Sequence, residues 1–181
     1  MTSTNSHPHP SRPAAPGDPL PVVRPAVAAD RALLDRLWQL SRHDLSDVDG
    51  TLPDAAGRFR DERLHAAFTD PGWRGHVVER GRRPAGFALV RGPDGPVRVL
   101  SAFFVARGAR REGVGRHLAA RVLASTPGTW EVPFQDANLP AAAFWRRVAE
   151  EAAPGAWALE HRPVPGRPDL PPDAWIVLDV A

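Results

Sequence analysis

The chain has 181 residues, 43% of them hydrophobic and 24% charged, which suits one enclosed core, or one core plus a tail. Cysteine, tyrosine and lysine are all absent, which excludes disulfides, thiolate nucleophiles, Cys-ligated metals, Schiff-base chemistry, a P-loop lysine and a tyrosine general acid. All 23 basic residues are therefore arginines, set against 21 acidic ones.

The isoelectric point, about 10.7, is no sign of nucleic-acid binding. With a net charge of +2 and only the N-terminal amine titrating between histidine and arginine, a small positive excess is enough to raise it. An arginine-rich nucleic-acid module is the weakest of the functional readings, since the arginines are scattered among nearly equal acids and no binding motif is present. No apolar run reaches the roughly 18 residues of a membrane span. No signal-type apolar segment opens the chain either, which points to the cytoplasm of a bacterium.

Residues 1–20 are proline-rich with almost no large apolar side chains, a composition that predicts a disordered tail ahead of a domain over 21–181. His7 and His9 lie between prolines in that tail and are not read as a metal site. Val22 to Val27 reads as an opening strand. Leu33, Leu34, Leu37 and Trp38 then recur at helical spacing and predict a helix from Asp30 to Arg42. A loop over residues 43–57 leads to a second helix around Asp61 to Phe68, closed by Asp70-Pro71-Gly72.

Three strands follow at Gly75 to Arg80, Pro84 to Arg91 and Val97 to Val105, joined by short turn sequences suited to antiparallel hairpins. A helix with Val114, Leu118 and Val122 on one stripe comes next, then a strand from Thr129 to Phe134 and an alanine-rich helix from Asn138 to Ala152. Strands at Trp157 to His161 and Trp175 to Val180 close the order β-α-α-β-β-β-α-β-α-β-β, an α/β class. The six tryptophans read mainly as core and rim residues.

The stretch from Phe103, Phe104 and Val105 through Arg110, Arg111, Glu112, Gly113, Val114, Gly115 and Arg116 is a strand running into a glycine-containing loop that opens a helix. Unpaired N–H groups and the positive end of the helix dipole make such a turn an anion site, and glycine lets a diphosphate approach the backbone closely. Structural capping is the competing reading of the same residues. Arginines 110, 111 and 116 are expected to add mobile positive charge.

The R-x-x-G-x-G at 110–115, combined with N-x-x-A-x-x-F-W at Asn138 to Trp145, resembles the GNAT superfamily of acyl-CoA-dependent N-acyltransferases over Val22 to Ala181. The resemblance implies a mixed, twisted seven-stranded sheet flanked by about four helices, and acetyl-CoA as co-substrate with no metal. It implies that residues 110–116 cradle the CoA pyrophosphate through backbone amides. The strand ending at Phe104 and Val105 would splay from the strand holding Val132, and Asn138 would touch the cofactor, an N-cap being the alternative. The N–H of Val105 would polarise the thioester carbonyl.

Trp145 stands at the family's usual tyrosine position beside the cofactor, and an indole cannot protonate a departing thiolate. Some members carry a glutamate on the strand before the loop, where this chain has Ser101-Ala102-Phe103. Glu79, Glu131, Asp136, His76 and His43 remain as candidate bases, each with a solvated surface role as the alternative. Asp44, Asp47 and Asp49, expected in the loop after the first helix, would attract a cationic amine. Helix capping by Asp44 or Ser46 is the alternative, and the spacing does not match an EF-hand.

The expected activity is acetyl transfer to a primary amine of a small molecule or peptide by direct attack in a ternary complex, with no nucleic-acid or membrane partner. A homodimer is a family-level expectation. The missing tyrosine motivates a rival, an acyl-CoA-binding regulator with little catalysis.

Overall fold

The computed structural model describes residues 20–166 and 169–181. The expected tail, with His7 and His9, lies outside them apart from Leu20. Seven strands form one mixed sheet in the order β1-β2-β3-β4-β5-β7-β6, where β1 is Val22–Pro25, β2 Trp73–Arg80, β3 Arg83–Arg91, β4 Val97–Val105, β5 Gly128–Phe134, β6 Trp157–Arg162 and β7 Asp173–Val180. The β4–β5 pairing is parallel and the other ladders are antiparallel.

Four α-helices cover the sheet: α1 (Arg31–Asp49) and α2 (Glu62–Thr69) on one face, α3 (Val114–Leu123) and α4 (Leu139–Ala152) on the other. The fold is therefore the expected seven-stranded α/β arrangement. No helix among the described residues is long and apolar enough to cross a membrane.

Alternation along the strands feeds two cores. Under α3 and α4 lie Val78, Ala88, Leu100, Leu118, Val122, Trp130, Val132, Ile176 and Leu178. Under α1 and α2 lie Leu34, Leu37, Trp38, Leu64, Val77, Phe87, Leu89 and Phe104. Trp130 is 1% exposed and can be so because its indole N–H donates to the Thr126 carbonyl at 3.0 Å. At Gly86, a Cβ would lie 2.2 Å from the Phe104 carbonyl oxygen, so the approach of β3 to β4 there requires glycine.

Several boundaries differ from expectation: β2 begins at Trp73 and β7 at Asp173, each two residues early. The opening strand stops at Pro25, and Ala28–Asp30 forms a short 3-10 turn instead. Helix α1 runs seven residues past Arg42, because nothing in 43–49 breaks a helix before Gly50, whose left-handed φ of 65° and N–H to the Ser46 carbonyl end it.

Strand β1 is held by one guanidinium. Arg24 Nη1 and Nη2 donate to the two Asp30 carboxylate oxygens at 2.7 and 2.9 Å, and Nε and Nη2 donate to Glu79 at 3.0 and 2.9 Å. The bond from Arg24, opposed by burial and aided by the Val27 N–H, holds Asp30 at about 2 against an ordinary 3.8. A carboxylate depressed on folding contributes stability that is complete above its unfolded value and vanishes as pH falls through its folded one. Denaturant melts between pH 5 and pH 2 should show the native chain losing on the order of 2 kcal/mol more than Asp30→Asn. Equal losses in the two proteins would contradict this role.

Candidate active site

The parallel ladder between β4 and β5 has only three pairs: Val97 with Thr129, Arg98 with Trp130, and Val99 with Glu131. Beyond Val99 and Glu131 the strands part, although β4 continues to Val105 and β5 to Phe134. The parting coincides with a bulge. Across β3, Leu89 faces Ala102 and Val90 faces Leu100, so Ser101 is an extra residue on β4 that bends the strand and strengthens its twist. Pro133, with no N–H to donate, lies on β5 beyond the last shared pair.

On the α3–α4 side, Phe103 meets Phe144 and Trp145 with ring centroids 5.7 and 4.8 Å apart, and Trp145 is 6% exposed. Phe104 points to the opposite core and Val105 is buried. After Val105 the chain makes a short 3-10 turn (Arg107–Ala109), then the loop to α3. Gly113 is left-handed, with φ of 81°, and nothing lies within 4 Å of where its Cβ would be. Among the described residues, no protein acceptor takes the N–H groups of residues 111–116, and the first helical bond runs from the His117 N–H to the Gly113 carbonyl. The loop thus presents a row of open donors at a helix N-terminus to unfilled space, the condition for anion binding. Gly115 packs inward instead, where a Cβ would meet Val105 and Phe144 at ordinary contact distance, 3.5–3.6 Å.

The loop arginines are less mobile than expected. Arg110 Nε donates to the Val105 carbonyl at 2.8 Å, its other end pairs with Asp44, and its guanidinium lies 5.8 Å from the Phe104 ring centre. Arg107 also binds Asp44, at 2.9 Å. Arg116 pairs with Glu151 at 2.7 Å and Glu112 pairs with Arg80. Only Arg111, exposed and left-handed at φ of 64°, has no ion-pair partner among the described residues. Ion pairs from α1, β2 and α4 therefore pin the loop while its amides stay open. Because they are partly exposed, they supply geometry more than stability.

The expected acidic loop is the last two turns of α1. Asp44 faces the loop arginines, Asp49 binds Arg42 at 3.0 Å and the Thr51 N–H at 2.9 Å, and Asp47 is exposed. Two of these three carboxylates are neutralised. Asn138 caps α4 by accepting from the Ala141 N–H at 3.2 Å.

The candidate bases are dispersed. Glu131 sits at the last β4–β5 pair and accepts from Arg162 at 2.9 Å. Asp136, just past β5, lies 2.6 Å from His161, and both side chains are half exposed. Glu79 is on β2, bound to Arg24, two strands from β4. His76, also on β2, has a buried Nδ1 with no partner among the described residues, and burial, with Arg74 nearby, pushes its pKa down. His43 is exposed on α1.

The structure adds residues that local motifs did not single out. Arg63 of α2 reaches across to donate to the carbonyl of the bulge residue Ser101 at 3.0 Å. Asp173, the first residue of β7, lies within electrostatic reach of Arg63, and burial pushes its carboxyl up against that pull. Arg162 stacks 4.7 Å from the ring centre of Trp175. Arg63 and Ser101 are 38 positions apart and Asp173 lies far beyond both, so no short motif links them.

Comparison with known proteins gives the family and the fold. The sequence model described as "Acetyltransferase (GNAT) family" matches residues 34–149, and the chain belongs to that family. No curated protein matches the chain. Among solved structures, an acetyltransferase from Thermus thermophilus has a TM-score of 0.65 at 21% identity, covering 88% of this chain and 97% of its own. The ribosomal-protein-S18-alanine N-acetyltransferase of Escherichia coli has a TM-score of 0.61 at 12% identity, covering 90% and 95%. A spermidine N-acetyltransferase from Vibrio cholerae, solved with CoA and spermine, also has 0.61, at 13% identity, covering 88% and 95%. At such identities these likenesses bear on the fold alone.

Replacing the Asn138 cap separates its structural role from any other. Asn138→Ala should cost about 1 kcal/mol in denaturant melts and Asn138→Asp should restore most of it. Unchanged stability in Asn138→Ala would show that the cap contributes nothing.

Proposed function

We propose that the protein is an N-acetyltransferase that moves an acetyl group from acetyl-CoA to a primary amine. The observation that carries this reading is the parted β4–β5 edge with the open amides of 111–116 at its mouth. The residues present fit the co-substrate: the space over Gly113 that a Cβ would enter is empty, and the donors around it suit a diphosphate. Residues 111–116 would hold the diphosphate, and the exposed edges of β4 and β5 would pair with the amide-rich pantetheine arm. Acetyl-CoA would bring an activated thioester.

The remaining chemistry belongs to this chain. With no cysteine, a covalent thioester on the protein is excluded, so the amine attacks directly and proximity supplies much of the rate. A β4 backbone N–H near Val105 polarises the thioester carbonyl. Glu131 sits at the last shared pair before the parting and Asp173 lies within electrostatic reach of Arg63, and the upward push on Asp173 is the direction that makes a carboxylate a better proton acceptor. Trp145 is packed against Phe103 where a tyrosine would otherwise stand, so the thiolate takes its proton from water. The reaction belongs in the cytoplasm, where acetyl-CoA is available.

A second reading, an acyl-CoA-binding regulator, is favoured by that same tryptophan. Calorimetry with acetyl-CoA followed by a free-thiol assay over an amine panel separates the two. The transferase reading expects binding and CoA release, and binding without release on any amine would favour the regulator. Gly113→Glu, which sets a carboxylate against the diphosphate, should weaken acetyl-CoA binding by about tenfold or more. Its strained left-handed backbone should cost only about 1–2 kcal/mol of stability. Unchanged affinity in that variant would refute the loop's role.

A further inference from the structure

Resting on the transferase reading, we infer that the amine acceptor carries an oxyanion, a carboxylate or a phosphate, that docks on Arg63 at the parting of β4 from β5.

Arg63 reaches that parting from α2, and its only hydrogen bond among the described residues is the one from Nη1 to the Ser101 carbonyl, at 3.0 Å. A guanidinium has five N–H donors in a planar fork, so the edge bearing Nε and Nη2 remains available for a bidentate oxyanion. The residue is exposed to solvent. Its charged surroundings are strongly one-sided. Arg42, Arg60 and Arg91 act on it as positive neighbours and Asp173 acts against them, while Asp61 and Glu62 precede it at the start of the same helix. Burial first, and then the three guanidinium groups, push Arg63 down.

The two carboxylates of α1 closest in the chain to Arg42 are engaged elsewhere. Asp49 is taken by Arg42 at 3.0 Å, and Asp44 is turned to the loop arginines Arg107 and Arg110. Arg60 and Arg91 are exposed and have no ion-pair partner among the described residues. The main chain fixes this cluster in place: Trp38 Nε1 donates to the Arg60 carbonyl at 2.9 Å, and Gln39 makes a reciprocal pair of bonds with the Phe59 backbone at 2.8 and 3.0 Å. Arg91 is set by the β3–β4 ladder opposite Val99, the last residue of β4 in register with β5.

A polyamine entering this region would meet like charge, which costs binding, whereas an anionic amine would complete the arginine cluster and leave its ammonium group for Asp173 or Glu131.

The test uses the full chain. Acetyl-CoA binding is first established by calorimetry, and CoA release is then followed with L-amino acids, their α-amides, aminoalkyl phosphates and spermidine. We expect the carboxylate or phosphate acceptors to exceed the amides and spermidine by about tenfold or more in kcat/KM. The carboxylate and phosphate arms identify which oxyanion is used. Arg63→Gln should raise KM for the anionic acceptor by about tenfold while changing the amides and spermidine little, and Arg63→Lys should recover part of the loss. The inference is overturned if the amides or spermidine react as well as the acids, or if Arg63→Gln changes all acceptors equally. Failure to bind acetyl-CoA, or binding with no release on any member of the panel, would instead remove the transferase reading on which the inference rests.

Discussion

Two parallel strands that pair for three residues and then separate are the constraint on which this molecule is organised. A sheet normally satisfies its backbone groups from strand to strand, and an interior edge without a partner is costly unless water or a ligand supplies one. Here the gap lies between β4 and β5 in the middle of the sheet, with large cores on either side of it. The bulge at Ser101 bends β4 away, and β5 is retained by a full antiparallel ladder to β7, from Gly128 with Val180 to Phe134 with Ala174. The rest of the site follows from that opening: the loop after β4 is carried to its mouth, and α2 and the start of β7 approach it from the two sides.

The charges around the opening are arranged by a chain that has arginine as its only basic side chain apart from histidine. Each guanidinium can bind two partners in a fixed plane, and several do: Arg24 spans Asp30 and Glu79, Arg110 spans a carbonyl and Asp44, and Arg162 spans Glu131 and Glu160 while stacking on Trp175. The consequence at the phosphate-type loop is a rigid frame whose backbone, not its side chains, is left to meet an anion. At Arg63 the reverse holds, since the frame is incomplete and a positive fork is left over.

Much of the fold was legible in the sequence because it is local. Apolar recurrence at helical spacing marked α1, α3 and α4, and alternating apolar runs bounded by glycine and proline marked β2 to β5. The glycine turn ahead of Val114 could be read for the same reason, since a left-handed residue opening a helix is a short-range signal. The acidic run at 43–49 misled: its composition suits a loop, yet no glycine or proline interrupts it before Gly50, and two of its three carboxylates are satisfied, Asp49 by Arg42 of the same helix and Asp44 by Arg107 and Arg110. The placement of β7 between β5 and β6, and the meeting of Arg63 with Ser101 and Asp173, depend on pairings between distant segments that no window of sequence contains.

The central claim, that the amides of residues 111–116 receive a diphosphate, is tested most directly by nitrogen-15 NMR of the protein titrated with CoA and, separately, with pantetheine, which lacks the diphosphate. The account predicts that CoA shifts the backbone resonances of these residues strongly and that pantetheine leaves them in place while shifting residues of β4 and β5. Resonances of 111–116 that stay unmoved at saturating CoA would contradict it.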